Sequence, residues 1–219
     1  MSTNRALPPP PDPDRLDPLV EEWKRGTPII RCHHVQFGAT EFNPGIGKGR
    51  FHPFSDLAAQ SVPTLYGAGS IEGALSETVF HDVPVRGPVR RIRKFSLRPL
   101  VVSTIAAKRL LRLAQLHTTG LRRLQVSRAE LIDGNSRSYP ATVLWARALH
   151  RCREDLDGLA WVSRLHDTSR ALVLFGDRVA RRDLEVVEPP LPLFEGRGFD
   201  KVWKAAEEAG ITLITASTP

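Results

Sequence analysis

The sequence predicts a single α+β domain, and three observations carry that prediction. Short β-favouring runs recur along the chain, at Thr27 to Val35, Val62 to Tyr66, Leu159 to Ser163, Ala171 to Phe175 and Leu184 to Val187. Amphipathic helical stretches stand among them, over Ser138 to Cys152 and Gly198 to Ala209. No internal repeat or linker divides the 219 residues after a proline-rich start. The expected organisation is a tail over residues 1–13 and one domain over residues 14–219.

Composition sets the broad class. Hydrophobic residues make up 41% and charged residues 25%, as in an ordinary soluble protein. No apolar run approaches the roughly 20 residues that span a bilayer, and the N-terminus lacks the apolar stretch of a secretory signal. A cytoplasmic protein is therefore expected, with no membrane partner. Two cysteines, Cys32 and Cys152, do not make a disulfide scaffold. Cys32-His33-His34 cannot converge on a metal if they lie in one strand, because neighbours there point to opposite faces. No metal site or cofactor is expected. The net charge of +7 favours anionic partners, whether nucleic acid, a phosphorylated small molecule or an acidic protein.

Taken in order, Pro8 to Pro11 and Pro13 forbid helix and favour an extended tail. Leu16, Leu19, Val20 and Trp23 then recur at helical spacing, so a helix is expected from Asp14 to about Gly26. In the strand from Thr27, alternation puts Ile30, Cys32 and His34 on one face and Arg31, His33 and Val35 on the other. Residue type alone makes Arg31 an edge-strand charge in water. A loop over residues 37–54 carries four glycines, which admit positive φ and close approach of a ligand. Arg50 follows Gly49 there, where its fork of donors suits a phosphate and Lys48 can assist; alternatively the loop is only a connector with solvated charges.

The strand closing at Tyr66 leads through Gly67-Ala68-Gly69 into a helix capped by Ser70. Glu72 and Glu77 on that helix lie about 140° apart and cannot share a pocket. Glu72 suits the helix dipole; Glu77 has no evident structural task, though an exposed mid-helix glutamate needs none. Val89 to Thr104 reads as one or two basic strands, more simply solvated than ligand-binding. Ala106 to Leu116 reads as a helix, and the segment after Gly120 as another. With the positive charge, this hairpin superficially suggests helix-turn-helix DNA binding, but any helical hairpin would look alike, and direct DNA binding is not the expectation. Ser163 emerges at the end of the LAWVS strand, where sites on sheets often lie. There is no nucleophile elbow for a hydrolase triad. Glu188-Pro189-Pro190 is expected to end the next strand, and Ile211 to Ile214 to form a last one.

The ordered set IIRCHHV, GKGRF, PTLYGAGSIEGALSET and DGLAWVSR resembles the RES domain of bacterial RES–Xre toxin–antitoxin systems, from about Thr27 to Val187. The resemblance implies a fold like that of ADP-ribosyltransferase toxins, with central mixed or antiparallel sheets flanked by helices. It implies cleavage of the nicotinamide–ribose bond of NAD⁺, by phosphorolysis or hydrolysis or with transfer of ADP-ribose to a protein. NAD⁺ is then a substrate, inorganic phosphate a possible co-substrate, and an Xre-type antitoxin the partner. It assigns catalytic roles to Glu77, Arg31 and Ser163, and substrate binding to Arg50, Tyr66 and Lys48. Glu77 would stabilise an oxocarbenium-like state, the arginines would clamp phosphate, Tyr66 would stack, and Ser163 would orient a hydroxyl. Arg31 thereby moves from a structural to a catalytic reading. The rivals are ADP-ribosyl transfer to protein, a basic nucleic-acid-binding protein, and a module that docks the antitoxin without turnover. The acceptor, the antitoxin, the oligomeric state and the role of the tail stay open, as does the choice between Glu77 and Glu72.

Overall fold

The computed structural model describes residues 6–87 and 89–215. The first five residues of the expected tail lie outside the described residues. Beyond them, Leu7 packs on the largest core cluster, and the Pro8 carbonyl accepts a 2.8 Å hydrogen bond from the Trp145 indole.

The helix expected from residue 14 is not formed. One 3-10 turn over Pro13–Arg15 precedes strand β1, Val20–Trp23. Next come β2, Pro28–His34, and β3, Thr64–Ala68, then helix α1, Ile71–Thr78. The basic segment forms a short β4, Arg91–Arg93, a 3-10 turn, and β5, Leu100–Ala107. The helix expected over residues 106–116 is instead strand β6, Leu111–Gln115. Its would-be partner divides into α2, Thr118–Arg123, and α3, Arg128–Leu131, the latter closed by a Ser127/Glu130 capping box. A strand thus stands where a helix-turn-helix would need its first helix. Helix α4 covers Tyr139–Cys152 with Pro140 in its first turn. Strands β7, Gly158–Val162, β8, Arg170–Phe175, and β9, Leu184–Pro192, are followed by α5, Gly196–Glu208, and β10, Thr212–Ile214.

Eight strands form one mixed sheet in the order β1-β6-β7-β8-β3-β2-β5-β9, with β6 and β7 parallel and every other pair antiparallel. Strands β10 and β4 make a separate parallel pair. The expected α+β single domain forms, with one large mixed sheet flanked by helices. Three reasons explain the local departures. β6 lies between β1 and β7 with Leu111, Leu113 and Ala114 fully buried, so both of its faces are apolar and the alternation that marks a strand is lost. β1 gains its backbone partners from β6, which overrides a helical spacing that Pro18 already weakens. β9 runs through Glu188-Pro189-Pro190 because it is an edge strand, where a missing N–H leaves no inner ladder bond unmade.

Sheet and helices enclose three apolar clusters. Ile29, Leu65, Ile105, Leu113, Leu172 and Leu174 fill one face of the sheet. On the other face, α4 packs Trp145 and Leu149 against Trp161, Val173 and Phe175, while Leu75 of α1 packs with Val102, Val202 and Leu97. The seam between these two helix-side clusters is where the cavity lies.

Candidate functional site

A cavity of about 310 Å³ opens at this seam. Its floor is the sheet: Ile30 and Cys32 of β2, Tyr66 of β3, Trp161 of β7 and Ala171 of β8. Register explains the set, since Tyr66 pairs across from Val173 and Trp161 from Ala171, which places them on one face. One wall is α1 and the residues just after it. Ala74, Glu77, Thr78 and His81 line the cavity, the three- and four-residue spacing of a single helix face. Ser70 starts that helix, its hydroxyl accepting from the Gly73 N–H at 3.1 Å. The opposite wall is the glycine-rich loop with Lys48, Gly49, Arg50 and His52, and Tyr139 at the start of α4.

Glu77 projects from the helix wall, and its Oε1 is shut off from solvent with no hydrogen-bond partner. An unpaired buried carboxylate oxygen costs free energy, and a ligand donor would remove that cost. Glu72 faces away, toward Ser76, Phe80 and Leu165, as the helical geometry requires.

Arg50 is 6% exposed. Its guanidinium donates to the carbonyls of Gly134 at 3.0 Å and Leu131 at 3.4 Å, and its charge lies 5.6 Å from the centre of the Tyr139 ring. Its own carbonyl accepts from the Thr142 hydroxyl of α4. Burial pulls the guanidinium below its usual range, and the neighbouring Tyr139 and Glu77 oppose that. Arg50 therefore sits as a fixed, charged cation near Glu77, with Arg164 as a further cation in its field.

Tyr66 points its hydroxyl inward, accepting from the Phe51 N–H at 3.0 Å and lying 3.2 Å from His52 Nδ1. Burial drives its phenol well above the usual tyrosine range, so it stays a hydroxyl at neutral pH. Its ring meets Trp161 edge-on at 6.2 Å. The Trp161 Nε1 is buried and unpaired. The Cys32 thiol is pushed up to about 12 by burial, opposed by a bond to Thr78, which makes it an apolar wall group rather than a nucleophile.

The structure brings Glu77, Arg50, Tyr66 and Lys48 together around one cavity. It does not bring Arg31 or Ser163 to it. Arg31 lies on the opposite face of β2, 7% exposed, with Nη1 donating to the carbonyls of Ala39 at 2.9 Å, Glu41 at 2.6 Å and Gly38 at 3.3 Å. Burial lowers it to about 10, partly offset by Glu41. It ties the loop after β2 to the sheet, and β2 is a central strand rather than an edge. Ser163 is fully buried just past β7. Its Oγ accepts from the Leu165 N–H at 3.2 Å, and its N–H donates to the Ser169 carbonyl at 2.9 Å. Sequence reasoning missed His52, His81, Tyr139 and Trp161. The spacing of residues 74, 77, 78 and 81 was the available signal for His81; Tyr139 and Trp161 reach the site only through the tertiary fold.

Among the described residues no group of three or more His, Cys, Asp and Glu side chains is placed to hold a metal, and no helix is long and apolar enough to cross a membrane. No curated protein matches the sequence. In structure, the chain is similar to a chain of the crystal structure of the M. tuberculosis MbcT–MbcA toxin–antitoxin complex, at 16% identity and a TM-score of 0.54, over 80% of this chain and 89% of that one. The family model of the RES domain matches residues 28–194, which include every residue lining the cavity. This chain belongs to the RES-domain family.

Proposed function

We propose that this chain cleaves the nicotinamide–ribose bond of NAD⁺ and acts as the toxin of a toxin–antitoxin pair. The observation that carries the reading is the unpaired, solvent-shut Oε1 of Glu77, held in one cavity with Arg50, Lys48 and Tyr66. Membership of the RES family and the likeness to a toxin–antitoxin complex support it. The volume of about 310 Å³ is at the low end for small-molecule sites, which suits the nicotinamide riboside half of the dinucleotide with the pyrophosphate toward the mouth.

In the proposed reaction the bond between the ribose anomeric carbon and the pyridinium nitrogen breaks. Its electron pair leaves with nicotinamide, which departs neutral. The ribose becomes oxocarbenium-like, and the negative charge of Glu77 stabilises it or holds a ribose hydroxyl. Lys48 and Arg50 bind the anionic oxygens. Tyr66 and Trp161, edge-on to each other, supply aromatic surface on the floor for the leaving ring. Water then forms the new bond to the anomeric carbon and releases a proton to solvent, or inorganic phosphate forms it through an oxygen that is already deprotonated. Arg31 and Ser163 act through the fold, Arg31 by anchoring a loop and Ser163 by closing a strand end. An antitoxin that covers the cavity mouth would block all of this.

The test is nicotinamide release from NAD⁺ by the purified chain, with and without inorganic phosphate. The wild type releases nicotinamide, and a strict need for phosphate marks a phosphorylase. Glu77→Gln lowers the rate about 100-fold or more with unchanged circular dichroism, as expected when a charge-stabilising group is lost. Glu72→Gln stays within about twofold, since that side chain faces away. Full turnover by Glu77→Gln, or no release from folded and partner-free protein, sinks the reading. Release that appears only with a protein acceptor turns it to ADP-ribosyl transfer.

A further inference from the structure

Three side chains at the cavity rim form a hydrogen-bonded chain. Tyr139 Oη lies 3.0 Å from His81 Nε2, and His81 Nδ1 lies 2.9 Å from Asp82 Oδ1. All three residues line the cavity. A carboxylate only accepts, so Nδ1 carries the proton. In a neutral imidazole Nε2 is then an acceptor, and the Tyr139 hydroxyl must donate to it. What the phenol offers the cavity in that state is its lone pairs. When His81 gains a proton, Nε2–H donates to the phenol oxygen instead, and the Tyr139 O–H is freed to donate elsewhere. One protonation reverses the hydrogen-bonding polarity of Tyr139.

We propose that His81 sets the hydrogen-bonding polarity of Tyr139, so that the site takes up a proton when an anionic oxygen of its ligand binds beside Arg50; this rests on the cavity being the proposed NAD⁺ site.

The surroundings favour an anion at that point. The Tyr139 ring lies against the Arg50 charge, and Arg50 and Arg164 are the cations acting on its phenol, with Asp82 and Glu77 the carboxylates. Lys48 stands on the same wall. Burial holds the Tyr139 phenol above its usual range, so the phenol keeps its proton and can serve either as donor or as acceptor. The Asp82 carboxylate is fully exposed, so it fixes the tautomer rather than anchoring the fold. The remaining titratable groups on the cavity wall are Tyr66, Cys32 and His52. Of these His52 is the other imidazole. It is tied to Tyr66, and burial lowers it below its usual range. His52 is therefore the internal control.

The experiment measures binding, not turnover. Titration calorimetry with ADP-ribose, and separately with sodium sulfate, is run in buffers of different protonation heat. Neither anion titrates between about pH 6 and about pH 8, so proton uptake reports the protein. Wild type takes up a fraction of a proton, up to about one, per ligand bound, and affinity rises several-fold as pH falls across that window. His81→Asn removes the uptake and flattens the pH dependence. Tyr139→Phe keeps the imidazole but loses the uptake too, with binding about tenfold weaker at the acid end. His52→Asn leaves the uptake in place. Circular dichroism checks each variant, and if His81→Asn does not fold, Tyr139→Phe alone decides. Uptake that persists without His81 or the Tyr139 hydroxyl, or vanishes with His52, overturns the inference, as does wild type that binds neither anion. Proton-linked binding of sulfate but not ADP-ribose keeps the polarity switch and removes the nucleotide reading.

Discussion

Arg31 is buried and Glu77 buries one carboxylate oxygen, and what each meets there separates a structural residue from a candidate catalytic one. Arg31 has three carbonyl partners within 3.3 Å, while Glu77 Oε1 has none. The prediction at this scale concerns Arg31. Replacing it with Met keeps the apolar stem and removes the donors from carbonyls packed under the loop. The expected cost is about 2–4 kcal/mol, or a melting temperature roughly 5–12 °C lower. The folded fraction should retain nicotinamide release within about threefold, because the side chain is on the far face of the sheet. A variant that kept its melting temperature and lost turnover would return Arg31 to the reaction. Strand alternation had already separated Arg31 from Ile30 and Cys32. It could not tell which face carries the cavity, since that is decided by where α1 and α4 pack; the family resemblance counted Arg31 as catalytic, whereas its side chain lies on the face away from the cavity. For Arg50 and Glu77 the local signals, a glycine turn before one and the lack of a helix-end task for the other, also fitted solvated charges, and it was the family resemblance that singled them out. Tyr139 was not legible, because nothing near it in sequence announces that its hydroxyl meets His81, 58 residues away.

Helix α1 is short, and it carries Ala74, Glu77 and Thr78 on its cavity face. Eight residues are too few to be stable alone, so its position depends on its cap and its packing. Ser70 supplies the cap, and its Oγ also lies 2.9 Å from the Ser169 Oγ on the neighbouring loop. Ser70→Ala is expected to lower stability by about 1 kcal/mol, and chemical denaturation would show it as a lower midpoint at unchanged slope. Because the helix aims Glu77, nicotinamide release should fall with it by a few-fold, where a remote capping loss of equal cost would leave the rate alone. Elements such as α1, with a capping serine and a mixed stripe, could be read from sequence because their signals are local. β6 and β1 could not. Burial of both faces hides the alternation of β6, and β1 is a strand only because β6 is beside it.

For the whole molecule, the open question is whether the proline-rich start belongs to the domain. Polyproline composition alone suggests a free extension. Yet Leu7 lies against the α4 cluster, the Pro8 carbonyl accepts a hydrogen bond from the Trp145 indole N–H, and Leu16 is 8% exposed. A stiff segment loses little entropy on docking, so modest contacts suffice to hold it. Deleting residues 1–9 removes the Leu7 contact and opens the Trp145 edge to water. Two outcomes are expected together. The melting temperature falls by roughly 3–6 °C, from a loss of about 1–2 kcal/mol. Tryptophan emission also shifts to the red, because one of four indoles becomes hydrated; Trp145→Phe in the full-length chain identifies which. Trp145 is six residues, about 1.7 turns, along α4 from Tyr139, so the cavity wall remains and nicotinamide release should stay within about threefold. An unchanged melting temperature with unchanged emission would mean that the segment is a free tail after all. A loss of turnover at unchanged melting temperature would mean that it acts on the cavity through the start of α4.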